Sequence, residues 1–192
     1  NIRVKVMQTL YILATRDEND QTSPQKVLKS QFAASKSLFA FLLQHVVEIA
    51  RYAEKDAYKK ANKYIPSAND LNVNTKLAGS NMLWQVLEDH KYTNLVKNEK
   101  SDTLIDEELI KKIYNKLTLS AEYHHYIKIQ QQSKQEDRKI FEYIINDLML
   151  GNEDFVQMTE DQFANWNDDG EMLAQLLLQY FVKPLSFDFN KF

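Results

Sequence analysis

Apolar residues recur at helical spacing along most of the chain, first in the stretch IRVKVMQTLYILAT at residues 2–15. Val4, Met7, Tyr11 and Ala14 follow one another at steps of 3, 4 and 3, with Leu10 beside them. That spacing predicts an amphipathic helix whose stripe is buried, with Lys5 and Arg16 on the opposite face. After the polar run DENDQTS, Ser23 is placed to cap a second helix and Pro24 to occupy its first position. In that helix Leu28, Phe32, Ser35, Phe39, Leu42, Val46, Ile49 and Ala53 alternate steps of 4 and 3, widened by Leu38, Phe41, Leu43, Val47 and Ala50. The pattern is a seam for packing against other helices. Continued to Lys63, the helix has about 40 residues and a length of roughly 60 Å at ~1.5 Å per residue.

Pro66 and the run SANDLNVNTKLAGSN form the longest irregular stretch. They suggest a division into residues 1–63 and an acidic helical region 64–192 packed on it as one unit. Downstream, the periodicity predicts helices over 81–89, 92–98, 106–117, 121–130, 134–150, 153–158, 160–165 and 169–183. Ser133 with Glu136, and Thr159 with Gln162, have capping-box spacing. Gly151 stands where a C′ glycine belongs, and Pro184 stops the last helix. The tail LSFDFNKF alternates apolar and polar residues, as a short strand or a docked extended segment does. No fixed-period repeat is visible.

Only three glycines and three prolines occur in 192 residues, too few for the turns of a sandwich or barrel, so the expected fold is an all-α helical bundle built around one long helix. The absence of cysteine excludes a disulfide framework, a thiolate metal site and a cysteine nucleophile, and favours a cytoplasmic location. No uninterrupted apolar run approaches the roughly 20 residues of a bilayer span, which predicts a soluble protein. The first residue is Asn and the start lacks signal-peptide order, so a mature or trimmed product is expected. Charge is uneven. Residues 1–63 carry eleven Lys and Arg against six Asp and Glu, and residues 64–192 carry thirteen against twenty-one, so a polyanionic partner would meet the front.

Candidate chemistry is sparse. Of the four histidines, His124 and His125 are adjacent and diverge on a helix, while His45 and Glu48 lack the second Glu-x-x-His set of a carboxylate-bridged metal site. With three glycines there is no phosphate cradle, and no nucleophile-elbow or zinc-protease motif occurs. The expectation is a non-enzyme without cofactor or metal. Asp168 and Asp169 read as helix-start acids, and Trp84 and Trp166 as core anchors.

Arg3-Val4-Lys5-Val6-Met7-Gln8-Thr9-Leu10-Tyr11 resembles the first helix of the NusB family of transcription antitermination factors. Arg3 falls on the last arginine of that family's arginine-rich start, Gln8 on its glutamine, and Leu10-Tyr11 on its Leu-Tyr pair. The long helix follows in the corresponding place, and the segment ending in Phe163, Trp166, Asn167, Asp168 and Asp169 resembles long-form members with extra helices in mid-chain. The resemblance implies an all-helical, non-catalytic RNA-binding protein. Such a protein acts with NusE, a small-subunit ribosomal protein, on the boxA element of nascent ribosomal RNA in the transcription complex with RNA polymerase. Arg3 and Lys5 are the residues it would place against RNA. The family's preceding arginines and its C-terminal helical region have no counterpart here, so a fragment is expected. The rival reading is a helical protein-interaction module without RNA binding, docking through the 28–53 stripe or the acidic region. A metal-dependent helical-bundle enzyme is a third.

Overall fold

The computed structural model describes residues 2–15, 22–65, 67, 73–131 and 133–189. Among them there are nine α-helices and no strand, an all-α bundle as the composition predicts. The helices are α1 (Ile2–Thr15), α2 (Pro24–Ala61), α3 (Asn81–Leu87), α4 (His90–Glu99), α5 (Glu107–Leu119), α6 (Ala121–Lys128), α7 (Lys134–Tyr143), α8 (Glu153–Gln162) and α9 (Trp166–Val182). Short 3-10 turns at Ser101–Leu104 and Pro184–Ser186 complete the chain.

The starts of the helices are chemical. Side chains of Ser23, Ser80, Asp89, Asp106, Ser120, Ser133 and Asn152 accept hydrogen bonds from backbone N–H groups two or three residues on. Each satisfies an amide the helix leaves open. The Ser133 half of its capping box is made, with Glu136 N–H donating at 3.2 Å. Glu136 instead turns its carboxylate to Lys139 at 2.7 Å.

Thr159 is no cap. It lies inside α8, fully buried, and its hydroxyl donates to the Phe155 carbonyl one turn back, so the two helices expected at 153–158 and 160–165 are one. The 134–150 helix is α7 continued by a wider π turn, Ile144–Met149. Gly151 is needed there for space, not for a left-handed backbone: a Cβ would lie 2.6 Å from the Asp147 carbonyl oxygen. The residue that does adopt a left-handed conformation is Lys100, at the end of α4.

α2 is the axis of the bundle. Every residue from Leu38 to Val47 is buried, so the one-sided seam expected from the sequence is apolar contact on all sides over its middle. α1, α4, α5, α9 and the 101–104 turn pack around it. An 18-residue window of α2 has the length and mean hydropathy of a bilayer span, and 67% of it is buried inside the bundle, where it serves as core. Two polar residues in the buried stretch are handled locally. Gln44 accepts from the Tyr92 hydroxyl at 2.6 Å, and His45 Nδ1–H donates to the Phe41 carbonyl at 2.9 Å.

The tail joins this core without forming a strand. Phe187 stacks on Phe39 at 5.6 Å between ring centroids, Phe189 lies 5.3 Å from the Tyr180 ring, and the Tyr180 hydroxyl donates to Asp89. The alternation in LSFDFNKF places two phenylalanines on one side of an extended segment. Trp166 is a core anchor, with its ring so close to Gly170 that a Cβ there would sit 3.0 Å away. Trp84 is not. It is 50% exposed, because α3 turns Met82, Leu83 and Val86 inward instead.

Candidate functional site

The residues singled out for function lie on α1, and α1 is oriented the opposite way from what its stripe predicts. Ile2, Met7, Leu10 and Tyr11 are between 61% and 71% exposed, whereas Lys5 and Thr9 are 2% and 5% exposed. Arg3 and Lys5, two residues apart on a helix, project about 200° apart. Arg3 is exposed. Lys5 is not available to a phosphate, which corrects the pairing of these two residues as one RNA contact. Arg16 lies outside the described residues.

The buried side of α1 meets a carboxylate. Asp169, in the first turn of α9, has a side chain 3% exposed, and its Oδ2 lies 2.6 Å from Lys5 Nζ. The same oxygen accepts from the Ser35 hydroxyl on α2 and from Asn165 Nδ2, each at 2.7 Å. Burial alone would push this carboxyl up, and the hydrogen bonds from Lys5, Asn165 and Ser35 together hold it below the usual carboxylate range. One turn along α1, Gln8 Nε2 donates to Asp168 Oδ2 at 2.6 Å. Thr9 Oγ1 donates to the Lys5 carbonyl at 2.7 Å, which leaves no unsatisfied hydroxyl against the body.

The paired acids therefore do more than start a helix. α9 begins at Trp166, three residues before the expected position, so Asp168 and Asp169 fall in its first turn, where acids also suit the dipole. Their side chains are committed to α1.

Between α1, α2 and the α8–α9 junction lies an open groove of about 640 Å³. Met7, Tyr11 and Ile12 form one wall, Gln31 and Ala34 the floor from α2, and Phe163 and Asn165 part of the other wall. Gln8 also lines it, and its Oε1 is buried without a hydrogen-bond partner.

The remaining candidates are elsewhere. His45 is fully buried between Phe41 and Phe155, with Nε2 unpartnered, and desolvation lowers its pKa to about 4. His124 and His125 are exposed on α6, with His125 4.0 Å from Glu136. Among the described residues no cluster of three His, Asp or Glu side chains could hold a metal ion.

Helical spacing does not identify Asp169 and Ser35 as the groups that meet α1. Ser35 was the available signal: a lone hydroxyl in the seam Phe32-Ser35-Phe39 marks where a polar partner must arrive. No protein-family model, curated protein or solved structure matches the chain.

Proposed function

We propose that the chain is a NusB-like RNA-binding antitermination factor, acting with NusE on boxA of ribosomal RNA transcripts. The observation that carries the reading is the segment of resemblance itself: residues 3–11 form a surface helix with Arg3 and Tyr11 both exposed. Arg3 supplies a phosphate or base contact, and Lys5 is reassigned from RNA contact to anchoring α1. An exposed tyrosine is a stacking surface for an unpaired base. Lys26 and Lys29, exposed in the first turns of α2, add to the positive potential of the front.

The test is binding of the chain to a labelled boxA-like RNA and to a scrambled one across a salt series, with and without NusE. Arg3→Ala is expected to weaken binding and to lower the salt slope by about one phosphate contact. Equal affinity for the two RNAs sinks the reading. An unchanged slope in the variant removes Arg3 from the site.

One observation favours the second reading, a protein-interaction module. The apolar side of α1 is a contiguous exposed strip of the kind that marks partner surfaces. It moves that module from the 28–53 stripe, whose middle is buried, to α1. RNA binding that survives Leu10→Lys, together with a protein partner lost by it, would favour this reading.

A further inference from the structure

Apolar transfer alone would lay α1 on the body through Ile2, Met7, Leu10 and Tyr11, and would leave Lys5 in water. The helix lies the other way, so something specific outweighs that preference. The Asp169 carboxylate is held by groups that do not belong to α1: Ser35 from α2, and Asn165 from the start of α9 itself. Those two bonds fix Oδ2 and leave a buried negative charge that hydrogen bonds from neutral groups do not cancel. The cation that arrives is Lys5, with Nζ at 2.6 Å and 2% of the residue exposed. A half-turn roll of α1 would bring an apolar residue against this charge and strand it. Gln8 on Asp168 repeats the selection one turn further along.

The geometry points to Asp169 as the positioning residue that decides which face of α1 meets the body, the Lys5–Asp169 pair acting as a rotational lock. The lock keeps the apolar side of the helix and the Arg3 side chain presented outward. It is a device for orientation rather than a source of net stability, since a buried ion pair replaced by apolar residues of similar volume commonly leaves a protein as stable or more so.

The cysteine-free chain permits a direct test. Single cysteines are introduced as Met7→Cys on the outward face and Thr9→Cys on the inward face, and their rates of reaction with a small aromatic disulfide are compared. With the pair intact, the Met7 position is expected to react at least tenfold faster than the Thr9 position. In the Lys5→Met/Asp169→Leu background the ratio should fall toward one or invert, with the far-UV helical signal retained. A pair that only adds stability would shift the urea midpoint and leave the tenfold ratio in place, and that result overturns the proposal. So does a ratio near one in the native background. Asp169→Asn, which keeps the shape and removes the charge, guards against a double variant that fails to fold. A several-fold drop in the ratio supports the lock, and an unchanged ratio overturns it. Lys5→Arg, which keeps the cation, should restore a large ratio.

Discussion

α1 and the middle of α2 look alike in the sequence, each a run of apolar residues at steps of 3 and 4, and the fold treats them in opposite ways. From Leu38 to Val47 every side chain of α2 is buried, and even Gln44 and His45 are drawn into the core with hydrogen bonds that satisfy them in part. α1 turns most of its apolar residues to solvent, Val4 and Leu13 being half-buried, and buries a lysine. Periodicity states that a helix has two faces. It does not state which face the rest of the molecule will take. That choice is made by what waits on the surface opposite, and for α1 what waits is the carboxylate of Asp169.

The sharpest contrast is in stability. Phe41 is fully buried, with its ring 4.9 Å from Phe163 and 6.1 Å from Phe155. Phe41→Ala removes the largest kind of apolar contact and leaves a cavity in the axis of the bundle. It is expected to cost about 4 kcal/mol, read as a lower urea midpoint at unchanged slope. A loss below about 1 kcal/mol would mean that the centre of α2 is less enclosed than the burial of its side chains implies.

Next in size is the anchor of α1. Asp169→Ala leaves the Lys5 ammonium buried without its partner, and the expected loss is about 3 kcal/mol. Lys5→Met/Asp169→Leu should recover most of that loss, because the desolvated charges are then both gone. The pair of measurements separates the harm of a stranded charge from the net worth of the ion pair.

A pH experiment probes the α2 side of the comparison. His45 titrates near 6.5 in the unfolded chain and at about 4 in the folded one, because burial disfavours its charged form. Well above pH 6.5 neither state binds the proton, and as pH falls through 6.5 the unfolded state takes it up first. Stability should therefore decline by about 2 kcal/mol between pH 7.5 and pH 5. Asp169, held below the usual carboxylate range, contributes stability that is lost only at more acid pH, as its own carboxyl protonates, so it does not enter this window. His45→Leu should flatten the dependence, and an equally steep decline in that variant would assign it to another group.

How much of this was legible follows the same division. Most of the helices, the stop at Pro184 and the caps at Ser23 and Ser133 are local chemistry, carried by residues within a turn of one another, and they stand where the pattern puts them, whereas the two helices expected at 153–158 and 160–165 are one. The long seam of α2 was visible too, although its encirclement was not, because encirclement depends on how many other helices arrive. Trp84 and the orientation of α1 were misread for one reason. An apolar residue does not imply a buried one, nor a polar residue a solvated one. The Lys5–Asp169 contact joins residues 164 apart in sequence, and no spacing rule reaches that far. Ser35 alone, polar within an apolar seam, pointed toward it.

The smallest expected effect is the one that tests the contrast most directly. Leu10 is 61% exposed, and if α1 truly offers its apolar side to solvent, Leu10→Ala should change the urea midpoint by no more than about 0.5 kcal/mol. Leu42→Ala, made on a residue of the same type that is 1% exposed, should cost about 3 kcal/mol. The comparison holds residue chemistry constant and varies only the face. A loss above about 1 kcal/mol for Leu10→Ala that grows with protein concentration would show the strip covered by a second copy of the chain. The same loss without concentration dependence would show α1 rolled inward, with Lys5 released from Asp169.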